Sequence, residues 1–85
     1  MSDIGEGRAK LQAATGNLDS AGGQIGVALD EVGTAKGLMA AAAEDTADVQ
    51  EALGLVAQAE ADLESARQAI FAAKEKAEEV ANRVA

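Results

Sequence analysis

The chain has 85 residues, enough for one small domain, and a net charge of −8. It has no proline, cysteine, histidine, tryptophan or tyrosine, and one phenylalanine, Phe71. Sandwich and α/β folds, which need turn residues and bulky strand formers, are disfavoured. The acidity disfavours nucleic acid and anionic membrane partners, which would be repelled. Alanine dominates, with Leu, Glu, Gln, Lys and Val around it, which is a helix-forming composition.

A first helix is expected over about residues 3–43. Asp3 can cap it, and Glu6 completes a capping-box spacing. Large apolar residues then recur every seven positions, at Ile4, Leu11, Leu18, Ile25, Val32 and Met39. Three residues after each sits a small one: Gly7, Ala14, Ala21, Ala28, Ala35 and Ala42. So strict a heptad predicts a coiled-coil-like seam. The longest apolar run, Leu38 to Ala43, is far short of the roughly 20 residues of a membrane span.

The register breaks near residues 43–47, where a turn is expected. A second helix is expected over about 46–84, capped by Asp45 or Thr46, with Asp48 and Glu51 near its positive end and Arg83 near its C-terminal end. Its stripe is Val49, Val56, Leu63, Ile70, Ala77 and Val84, with Ala52, Ala59, Ala66, Ala73 and Val80 as companions. Folding the chain back between Asp45 and Thr46 pairs Ala42 with Val49, Met39 with Ala52, Val32 with Ala59 and Ala28 with Leu63. It also pairs Ile25 with Ala66, Ala21 with Ile70 and Leu18 with Ala73. Nearly every layer sets a large residue against a small one, the arrangement that sustains packing density between close helices. Ala14 with Ala77 is thin, and Leu11 with Val80 is thick. The expected architecture is therefore all-α: one antiparallel helical hairpin, assembling further into a four-helix bundle or a larger helical assembly.

Two groups of residues point to that further assembly. Bulky Val27, Leu29, Leu38, Leu53, Leu55 and Phe71 lie off the expected seam. Glycine is concentrated in the first helix, where each interior glycine costs about 0.8–1 kcal/mol relative to alanine. Gly26 and Gly33 are expected on one outer face, and Gly16, Gly23 and Gly37 on the next, opposite the seam. Spacings such as Gly22-Gly23-Gln24-Ile25-Gly26 allow close approach of another helix. The plainer alternatives are a broadened seam and glycines tolerated on a wet face.

Chemistry has little to work with. The hydroxyls of Ser2, Ser20, Ser65, Thr15, Thr34 and Thr46 have no activating histidine, and Lys10, Lys36, Lys74 and Lys76 have no evident pocket. The pairs Asp30-Glu31 and Glu78-Glu79 read as solvated helix positions. The acidic stretch from Glu44 to Glu51 lacks the alternation and turn glycine of a calcium loop, so capping explains it more simply. No enzyme activity, metal or cofactor is expected.

The opening Met1-Ser2-Asp3-Ile4, the central Ala47-Asp48-Val49-Gln50-Glu51-Ala52-Leu53 and the trailing alanine-rich heptads resemble small Ala/Gly-rich actinobacterial helical proteins of unknown function. The hairpin plan is also similar to the Trp-Xaa-Gly proteins of type VII secretion. Their Trp-Xaa-Gly turn and tyrosine-containing export signal have no counterpart here. A non-exported companion of a secreted effector is what that likeness implies.

The expected function is helix–helix association, with a second copy or as a small adaptor or chaperone for another helical protein. The alternative is a subunit that polymerises into a filament or tube. The N-terminal residues lack a basic region and an apolar core, so cytoplasmic synthesis without a cleaved signal is expected. Export by an uncleaved route stays open.

Overall fold

The computed structural model describes residues 2–42 and 46–83, with side chains from residue 5 onward. It contains two helices, α1 (Ser2–Ala41) and α2 (Ala47–Arg83), which pack against each other as a hairpin. The rod measures 66 × 14 × 13 Å. Its length matches about 1.5 Å per residue over the 40 residues of α1. The absence of proline lets both helices run unbroken.

The helix ends have local causes. α1 begins one residue ahead of the expected Asp3 cap. It ends by tightening, with the Ala42 N–H donating to the Met39 carbonyl at 3.3 Å. Ala43, Glu44 and Asp45, on which the expected turn falls, lie outside the described residues, as do Val84 and the side chains of Ser2, Asp3 and Ile4. Thr46 is the N-cap of α2: its hydroxyl oxygen accepts from the Val49 N–H at 3.2 Å. Its carbonyl accepts the first helical bond, from Gln50, at 3.0 Å. Asp48 in the first turn and Arg83 in the last complement the helix dipole.

The large stripes meet. Leu11, Leu18, Ile25, Val32 and Met39 are half-buried, as are Val49, Val56, Leu63, Ile70, Ala77 and Val80. The seam has a second flanking row besides the expected one. Residues four positions after the stripe share its burial: Thr15, Gly22, Leu29 and Lys36 on α1, and Leu53, Glu60, Lys74 and Ala81 on α2. Of the residues three positions after it, Ala14, Ala21, Ala28, Ala52 and Val80 are half-buried as well, and Ala35, Ala42, Ala59, Ala66 and Ala73 are exposed. Leu29 and Leu53 thus join the seam beside Ala28 and Ala52, and their branched side chains add apolar area removed from water.

Some expected positions are changed by this packing. Leu29 and Leu53, expected off the seam, are half-buried along it. Gly26 and Gly33 are half-buried beside α2 and not on the outer face: a Cβ on Gly26 would lie 4.0 Å from Arg67, and one on Gly33 3.9 Å from Glu60. Gly22 also stands beside Ile70, next to the half-buried Ala21 expected there: a Cβ on Gly22 would lie 3.9 Å from Ile70 Cγ2. Near the turn the expected layers are close to the observed ones, since Met39, Ala42, Val49 and Ala52 line one depression.

Candidate functional site: the two faces of the hairpin

In an antiparallel helix pair, residues that follow the seam on one helix share a side with their equivalents on the other. The hairpin therefore has two unlike broad faces. One carries the residue just after each large one, together with the row four positions on. Its groove, of about 170 Å³, is bounded by Leu18, Asp19, Gly22, Arg67, Phe71 and Lys74. All the cross-helix ion pairs of the described residues lie on this side. The Lys36 ammonium donates to Glu60 Oε1 at 2.7 Å, and the Lys74 ammonium donates to Asp19 Oδ1 at 2.6 Å. The Nη2 group of Arg67 donates to both carboxylate oxygens of Glu64, at 2.9 and 3.0 Å, within α2. The hydrogen bond from Lys74 to Asp19 holds the Lys74 pKa above its ordinary 10.5; partial desolvation opposes this, and the charges of Asp19, Glu78 and Glu75 add to it.

The other face is apolar and almost featureless. Ala14, Ala21, Ala28, Ala35 and Ala42 run down α1, and Ala52, Ala59, Ala66 and Ala73, then Val80, run down α2. No charged residue interrupts either row. At the turn end this face opens into a depression of about 220 Å³ lined by Met39, Ala42, Val49 and Ala52, with Asp48 at its edge. One step outward on each helix stand Leu38 and Leu55, which are 69% and 67% exposed.

The remaining expected site residues divide between these surfaces and the outer sides. Phe71, 58% exposed, stands on the charged face beside Lys74. Val27, 59% exposed, stands on the outer side of α1. Gly16, Gly23 and Gly37 are exposed, with open space where a Cβ would be. Ala35, Ala42, Ala59, Ala66 and Ala73, expected inside the seam, are instead exposed on the apolar face.

Two of the hydroxyls are occupied locally. The Thr15 hydroxyl donates to the Gln12 carbonyl at 2.7 Å, and the Thr34 hydroxyl to the Asp30 carbonyl at 3.1 Å. Among the described residues no three acidic side chains come together as a metal site, and no helix is long and apolar enough to cross a membrane. Comparison with protein-family models, with curated proteins and with solved structures returns no match.

Proposed function

We propose that this is a non-enzymatic helix–helix interaction protein, which associates with itself or serves as a small adaptor or chaperone for another helical protein. One observation carries the reading: the hairpin has almost no interior. Among the described residues only Ala81, 4% exposed, is buried, and no side chain is fully buried. The chain presents 5854 Å² of surface. A compact monomer of 8.5 kDa presents about 4,700 Å². Ordering each residue costs about 1–2 kcal/mol of backbone entropy, and half-buried side chains recover little of it. A partner that covers one face supplies the missing burial.

Sedimentation equilibrium and circular dichroism over a concentration series test this. A discrete dimer or tetramer, with helicity that falls on dilution, is expected. A stable monomer with a sharp thermal transition would overturn the reading. A filament or tube is the second reading, favoured by the open glycines at Gly16, Gly23 and Gly37, which leave room for lateral helix contact. Open-ended growth with concentration distinguishes it from a closed bundle.

A further inference from the structure

We propose that the alanine face is the docking surface for a second copy of this chain, laid antiparallel, with its two-fold axis passing beside Ala66. This rests on the self-association reading above and specifies its surface and direction.

The area suffices. A face 66 Å long and 14 Å wide offers about 900 Å² per copy, against about 800 Å² per partner in a stable interface. The chemistry fits a second alanine face, since rows of methyl groups allow two helix pairs to approach closely without side chains to reorder. Leu38 and Leu55 stand at its rim, where an isolated hairpin leaves them in water.

The charge pattern sets the direction. Along the α2 rim of this face the seven-residue repeat places Asp48, Leu55, Asp62, Ala69, Lys76 and Arg83. The half near the turn is acidic, and the half near the open end is basic. Laying α2 of one copy antiparallel on α2 of the other brings Asp48 opposite Arg83, and Leu55 opposite the aliphatic stem of Lys76. The same alignment maps the alanine row onto itself: Ala52 meets Val80, Ala59 meets Ala73, and Ala66 meets its own counterpart. A parallel arrangement, with both turns at one end, stacks α1 on α2. It sets Glu31 over Asp62 and Lys10 over Arg83, each twice, and like charges in contact oppose it.

The chain has no cysteine, so single cysteines report the geometry cleanly. Sedimentation of the unmodified chain decides self-association, and a monomer there sinks the parent reading. Given a dimer, mild oxidation of Ala66→Cys is expected to give a covalent dimer, because a disulfide needs Cα atoms about 4.4–6.8 Å apart. Gly26→Cys, at a similar height on the charged face, is expected to stay uncrosslinked. A dimer in solution whose Ala66→Cys form does not crosslink overturns the proposed face or direction, and crosslinking through Gly26→Cys overturns the face. Charge reversal supplies a second measure. Asp48→Lys and Arg83→Glu should each weaken the dimer by about two- to thirtyfold, from two ion pairs per dimer. The double variant should regain most of that affinity. No regain overturns the antiparallel register.

Discussion

The Lys74 ammonium of α2 donates to the Asp19 carboxylate of α1 at 2.6 Å, across 55 residues of chain. Lys36 and Glu60 repeat the arrangement nearer the turn, on the same side of the rod. Both bridges cross from helix to helix along one side of the apolar seam, so they bias the rotation of one helix against the other as well as their spacing.

The first bridge makes the hairpin sensitive to alkali. Lys74 has a pKa above its ordinary 10.5 in the folded chain. Its contribution to stability is therefore complete below the unfolded value and is lost as pH rises through the folded one. Thermal melts of the native chain and of Lys74→Gln, from about pH 9 to about pH 12, should differ at the lower end and converge at the upper. A difference that persists undiminished at the top of that range would assign the effect to packing of the lysine stem.

The second bridge should count for less than its geometry suggests. The Lys36 and Glu60 side chains keep 45% and 25% of their surface in water. Truncating Lys36 to alanine should cost about 0.2–1 kcal/mol, reduced by added salt. Denaturant melts at low and high ionic strength read this directly.

Glycines that face open space weaken α1 without serving the hairpin. Gly16→Ala, Gly23→Ala and Gly37→Ala meet nothing within 4 Å. Each should stabilise by about 0.8–1 kcal/mol. Together they should raise Tm by roughly 10 °C or more. If the three substitutions abolish assembly while raising helicity, the outer side of α1 is itself a contact surface, as the filament reading requires.

Thr46 anchors the start of α2 through its hydroxyl, 3.2 Å from the Val49 amide. Thr46→Ala should cost about 1 kcal/mol, whereas Thr46→Ser or Thr46→Asp should be close to neutral. Chemical denaturation of the three variants separates loss of the cap from a change in turn geometry.

Ile70 reports how shallow the seam is. It packs beside Gly22, where no side chain shields it from that quarter. Ile70→Ala should cost about 1–2 kcal/mol, below the roughly 2–5 kcal/mol of a fully enclosed isoleucine. Gly22→Ala would meet Ile70 at ordinary contact distance and should stabilise slightly.

The helices and their pairing were legible because a seven-residue repeat carries phase as well as period. Ile25 and Ile70 are predicted to face inward from spacing alone, and both do. The width of the seam was not legible. Spacing offers Ala28 and Leu29 as neighbours of the same stripe, and both are half-buried, the leucine adding apolar area removed from water. The expected layers are close to the observed ones at Met39 and Ala52, and at Ile70 Gly22 stands beside the contact expected for Ala21. The exposure of Ala59, Ala66 and Ala73 has no signal in spacing, which places them as it places half-buried Ala52. Capping was legible as a choice between Asp45 and Thr46, and the hydroxyl geometry decides it for Thr46.

The hairpin's contacts are ordered along a single line, each residue of α1 meeting only the stretch of α2 at its own height. A pull applied between Arg8 and Arg83 would peel the two helices apart in sequence, from the open end toward Thr46, at low and nearly constant force. Refolding would run the other way: helix segments beside the turn meet first, and each later contact closes only a short additional span. The molecule is built like a zipper, and its mechanical weakness and its rapid reclosure are the same property.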